Sequence, residues 1–98
     1  FKRIFITHQY AIKYSKPSLF CFNIIRKLEK CNWNDLIYIG DDPNKDFLNL
    51  NIKKAITIRI NQGRFKNISI EKNYEAKYVF NNLKNAIIFL KNKNYINL

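Results

Sequence analysis

Two short apolar runs, LIYIG at residues 36–40 and AITIRI at residues 55–60, most constrain the fold of this chain. Both are rich in β-branched residues and read as strands. LIYIG is apolar throughout, as a strand covered on both faces must be, and that is the mark of a parallel sheet between helices. NKDFLNLN, between the two runs, predicts a short helix. RIFIT, residues 3–7, predicts an earlier strand. Pro17 then opens a helix in which Phe20, Ile24 and Leu28 fall at i, i+4 and i+8, with Cys21 and Ile25 beside them, running to about Cys31. Residues 61–75 predict a loop, long for a compact domain and expected to be ordered by contacts. AKYVF, residues 76–80, predicts a short edge strand, and residues 81–95 an amphipathic helix with Leu83, Ile87 and Leu90 on one side. Strands alternating with helices point to βαβ units with right-handed crossovers. The expected fold is therefore α/β, a Rossmann-like three-layer sandwich around a parallel sheet, with residues 1–98 as one domain.

At 47% apolar residues the chain is ordinary for a globular protein. No apolar run reaches the ~18 residues that cross a membrane, and the first residues carry no leader pattern. Cys21 and Cys31 form no CxxC pair and have no histidine partner at zinc spacing, so free thiols in a reducing cytoplasm are expected. The chain opens on Phe1 rather than methionine, as a processed product or a piece of a longer reading frame would. The formal charge is +11. Lysine, asparagine and isoleucine make up almost half of the chain, all from A/T-rich codons, so a solvated basic surface is the first reading of that charge. Attraction to nucleic acid or to small phosphorylated substrates is the functional one. The eight Phe, six Tyr and one Trp fall mostly at core-like positions, and no RNA-binding strand or zinc finger turns them into a nucleic-acid module.

Against that charge, three of only seven acidic residues, Asp41, Asp42 and Asp46, crowd behind LIYIG. The topology puts them at the carboxyl end of a strand, the edge where open α/β sheets bind ligands. Gly40 is expected to permit a sharp exit from the strand, and Pro43 to open the next helix. A helix dipole offsets roughly 0.3–1 kcal/mol per charge, too little to hold three converging acids. A hard divalent cation would, and Mg²⁺ takes a few carboxylate oxygens together with waters and a substrate phosphate. Asp41, directly behind the strand and the glycine, is read as a metal ligand. Asp42 taken alone faces solvent, and Asp46 either caps the helix or joins the site. The spacing is not that of a calcium EF-hand, and no phosphate-binding P-loop occurs.

SKPSLF, IRKL, LIYIGDDPNKDF and AITIRI, in that order, resemble the C-terminal half of a haloacid dehalogenase-like hydrolase, over about residues 1–90. Lys16–Pro17 matches the family's third motif, a lysine at a helix start, and LIYIGDDPNKD its fourth, an apolar strand followed by Gly-Asp and a further acid. The resemblance implies an incomplete core of that fold and Mg²⁺-dependent phosphomonoester hydrolysis through an aspartyl-phosphate. It implies Asp41 as metal ligand, Asp46 as a second ligand through water, Asp42 as a substitute for either, and Lys16 as the catalytic group on the phosphoryl oxygens. Arg64, in NQGRF, could meet an anionic group of the substrate.

The family's first motif, DxDxT or DxDxV, does not occur, since no aspartate precedes Asp35. The chain is thus expected to begin after the nucleophile strand and the phosphate-binding strand, with Thr7 structural and the N-terminal half of the core as its partner. In the family's sheet those two strands lie between the ones at 3–7 and 36–40. The isolated chain should either pair these two directly or fold poorly, with little activity and weak metal binding. His8 is read as a loop residue and Trp33 as cover for a helix end. The alternative reading is a basic α/β binding module without catalysis, for nucleic acid or protein.

Overall fold

The computed structural model describes residues 4–7, 19–41, 47–63 and 66–96. Along the chain they form strand β1 (Ile4–Thr7), helix α1 (Leu19–Leu28), a 3-10 turn at Trp33–Asp35, strand β2 (Leu36–Gly40) and helix α2 (Phe47–Ile52). Strand β3 (Ile56–Ile60), a second 3-10 turn at Lys72–Tyr74, strand β4 (Tyr78–Phe80) and helix α3 (Leu83–Asn92) follow. The four strands make one sheet in the order β1-β2-β3-β4, every pair parallel. Ile4 lies opposite Leu36, Ile37 opposite Ile56, and Ile58 opposite Tyr78. β1 therefore pairs directly with β2, as expected if the isolated chain closes on itself.

The period of two along β2 sorts the core. Leu36 and Tyr38 join Phe47 and Leu50 of α2, with Ala55 and Ala76, on one face of the sheet. Ile37 and Ile39 join Ile56, Ile58 and Ile60 of β3 and Ala86 and Leu90 of α3 on the other. LIYIG is apolar throughout because helices cover both faces. Neighbouring parallel strands wound with one hand keep their crossovers on one face. α2 links β2 to β3, and Ala76 ends the link from β3 to β4. Both sit on the first face, where Cys31 and Trp33 of the link before β2 also pack. α3 follows the last strand and folds back over the second face. Among the described residues no helix is long and apolar enough to cross a membrane.

Each helix ends the same way. Lys30, Lys54 and Asn94 take left-handed φ of 53°, 69° and 59°. At each, the next residue's N–H reaches back five positions, Cys31 to the Arg26 carbonyl, Ala55 to Leu50 and Tyr95 to Leu90. The left-handed residue's own N–H donates to Lys27, Asn51 and Lys91 respectively. This is the Schellman cap, with its usual apolar contact, because Ala55 and Leu50 share one core cluster while Tyr95 packs on Leu90's. Glycine normally fills the left-handed position. This chain has only two glycines and uses lysine or asparagine instead.

Those caps correct two expectations. α1 stops at Leu28, short of Cys31, since Lys30 turns the chain and Leu28 is left 63% exposed. In α3 the buried face is Ala86 and Leu90 with Ile87 beside them, while Leu83, in the first turn, is 49% exposed. Asn82 caps that turn by accepting the N–H of Asn85, which fixes the helix start at Leu83.

Candidate functional site

The carboxyl edge of the parallel sheet is built by the ends of β2 and β3 and the loops that leave them. Gly40 closes β2, opposite Arg59 in the register. Its φ is not left-handed, so the expected sharp exit is not what requires glycine here. The requirement is space. A Cβ on Gly40 would stand 3.2 Å from the hydroxyl oxygen of Tyr38 and 3.3 Å from its ring. Tyr38 points to the same face two residues earlier, and its ring packs against Phe47 with centroids 5.8 Å apart. The tyrosine fills what a side chain at Gly40 would need.

Asp41 follows, half-buried. Its Oδ2 lies 3.3 Å from where a Cβ on Gly63 would be. Gly63 has φ +70°, so this position favours glycine on conformational grounds as well. Gly63 lies in the turn after β3, and its carbonyl accepts the N–H of Lys66. The carboxylate behind β2 thus lies beside Gly63 behind β3, where glycine leaves it space.

That turn is held from beneath by a polar chain. Arg59, buried in β3, donates from Nε to Glu75 Oε1 at 2.8 Å and from Nη2 to Oε2 at 3.1 Å. Its Nη1 donates to Asn61 Oδ1 at 3.2 Å. Asn61 in turn accepts the backbone N–H of Asn67 at 2.8 Å and donates to the Asn67 side chain at 3.0 Å. Asn67 sits at φ +60°, a conformation asparagine tolerates better than most residues. Next door, the Thr57 hydroxyl donates to Asn51 Oδ1 at 2.6 Å and accepts the N–H of Lys77 at 2.8 Å. The Asn51 amide donates to the Glu75 carbonyl at 2.9 Å. The described residues of this loop, 61–63 and 66–75, are therefore tied down by contacts, as expected.

AITIRI reads as a strand, but its isoleucines alone do not disclose this network. The signal was its parity: Thr57 and Arg59 alternate with Ile56, Ile58 and Ile60, so the two polar residues share one face. A buried arginine needs a carboxylate. Trp33 covers the end of α1 as expected, with the Arg26 guanidinium 5.4 Å from its ring centroid, and Lys53 Nζ stands 5.8 Å from the same ring. Lys16, Asp42, Asp46, Arg64, His8 and Pro17 lie outside the described residues. Asp35 is at the opposite edge of the sheet. It accepts the N–H of Asn32 through Oδ2, while its buried Oδ1 has no hydrogen-bond partner.

Among the described residues no group of three or more His, Cys, Asp or Glu side chains could hold a metal. Asp41 is the candidate ligand that the described residues include, and a magnesium site takes one or two carboxylates and completes its octahedron with water and phosphate oxygens. No family model matches the chain, and neither a curated protein nor a solved structure does.

Proposed function

We propose that this chain is the C-terminal part of a haloacid dehalogenase-like hydrolase, acting on a small phosphomonoester with Mg²⁺ as cofactor. The observation that carries the reading is the placement of Asp41. It follows a fully covered parallel strand, at the carboxyl edge of the sheet, half-buried beside Gly63. Ligands bind at that edge in open α/β sheets. In this reading Asp41 holds the cation, with Asp46 or Asp42 as a further oxygen donor, and Lys16 pairs with the phosphoryl oxygens. Arg64 reaches an anionic group of the substrate. When bound, the metal offsets charge on the phosphoryl group.

The nucleophile comes from outside this chain, whose sequence holds no DxDxT or DxDxV. Direct pairing of β1 with β2 occupies the place where the family's nucleophile strand would lie. Completing the site therefore requires β1 to leave β2, and the isolated chain should be inactive. The test is a phosphatase assay on the chain joined to whatever its reading frame encodes upstream of Phe1. Mg²⁺-dependent activity that falls by about a hundredfold or more in both Asp41→Asn and Lys16→Ala supports the assignment. Activity unchanged in both variants removes it. Salt-sensitive binding to nucleic acid with no phosphatase activity would favour the basic binding module.

A further inference from the structure

A second concave surface lies on the other edge of the sheet. It is a cleft of about 340 Å³ between the end of α2 and the segment that enters β4. Ala55, just before β3, and Ala76, just before β4, form part of its lining and are both buried. Lys54, after α2, and Lys72 and Lys77, both in the connection from β3 to β4, line it as well, each exposed. One carboxylate, Glu75, also lines the cleft, but both of its oxygens are taken by Arg59. That is the sole ion pair among the described residues, so none of these three lysines has a described carboxylate partner. Three lysines thus line a small concavity whose only acid is already neutralised, and the Lys77 ammonium also stands 5.6 Å from the Tyr78 ring centroid.

We infer that this cleft binds a small organic diphosphate. Lysine binds phosphate as a mobile point charge, and three on two segments that meet at one cleft suit an anion of several charges. A volume of about 340 Å³ is at the small end of ligand pockets and does not form a groove that tracks a polymer. The alanine floor offers apolar contact to the organic part. Asn51 is locked by its bonds to Thr57 and to the Glu75 carbonyl, which fixes the wall between α2 and the entry to β4. The site lies across the sheet from Asp41 and is independent of the reading given above.

The experiment is an amide-shift NMR titration of the full chain with inorganic pyrophosphate and, separately, with a nucleoside diphosphate. Saturable shifts centred on residues 54–55, 72 and 75–77 with either probe support the site, and a tighter fit of the nucleoside diphosphate assigns the organic part to the alanine floor. Lys54→Gly removes one charge while suiting the left-handed backbone there, so it keeps the fold. It should weaken binding about three- to tenfold, as should Lys72→Gln, whereas Lys91→Gln on α3 should not. Non-saturating shifts spread over lysines of α3 would overturn the inference. So would affinities indifferent to Lys54→Gly and Lys72→Gln, or tighter binding of an oligonucleotide across a broad face.

Discussion

Arg59 and Glu75 meet in a two-pronged ion pair, at 2.8 and 3.1 Å, that ties the middle of β3 to the far end of the loop leaving it. The arginine side chain is 7% exposed and the glutamate 28%. Each hydrogen bond beyond the pair extends the tie, through Asn61 to Asn67 on one side and to the Ala76 N–H on the other. A loop of this length would otherwise have few reasons to adopt one shape.

Glu75→Gln leaves the buried guanidinium without a countercharge. Removing one partner of a fully buried pair costs roughly 3–5 kcal/mol. Because part of Glu75 stays in water, the expected loss is about 2 kcal/mol. Urea denaturation measures it, and a surface change such as Lys91→Gln should stay within about 0.5 kcal/mol.

Thr57→Val keeps the shape and deletes the hydroxyl. The side chain is fully buried, and its oxygen serves Asn51 and the Lys77 N–H together. The variant strands a buried N–H and an amide oxygen, for an expected cost of about 1–3 kcal/mol. Faster hydrogen exchange at the Lys77 amide should accompany it, because the bond that protects that amide is gone.

The lysine caps make an opposite prediction. Lys30→Gly and Lys54→Gly each relieve a side chain held at positive φ, and each should stabilise the chain by up to about 1 kcal/mol. Asn94→Gly should gain less, since asparagine already tolerates the left-handed region. Thermal unfolding of the three variants checks the ranking.

Much of this fold could be read from the sequence, because its strands are marked by composition as well as by pattern. LIYIG and AITIRI needed no tertiary information to be placed, and the continuous apolarity of LIYIG implied cover on both faces. The limits of α1 and α3 were less visible. Apolar periodicity does not mark these ends: Lys30 and Asn94 end the helices by backbone conformation, and nothing in a lysine announces positive φ. The ion pair of Arg59 was hidden for another reason. Its partner lies sixteen residues on, in a loop without periodicity. Of the candidate site, the placement of Asp41 followed from topology alone. The glycines misled in part: Gly40 yields to the Tyr38 ring rather than to a turn, and Gly63 is the one at positive φ.

Gly63→Ala tests the contact between the two loops. The added methyl meets a positive φ and, at 3.3 Å, the Asp41 carboxylate. The half-buried carboxylate can shift by a few tenths of an ångström, so backbone strain dominates and the cost should be about 1 kcal/mol. The same substitution in an Asp41→Ala background should cost nearly as much, with a coupling of about 0.5 kcal/mol or less in a double-mutant cycle.

The central claim is that Asp41 holds a divalent cation at the carboxyl edge of the sheet. Manganese(II), a paramagnetic ion that accepts the same oxygen ligands as magnesium, tests it directly by NMR at substoichiometric amounts. The account predicts that the amides of residues 39–41 and 60–63 broaden first and that Asp41→Asn abolishes the effect. Broadening centred on Glu29, Asp35 or Glu71 with residues 39–41 left sharp, or an identical pattern in Asp41→Asn, would contradict it.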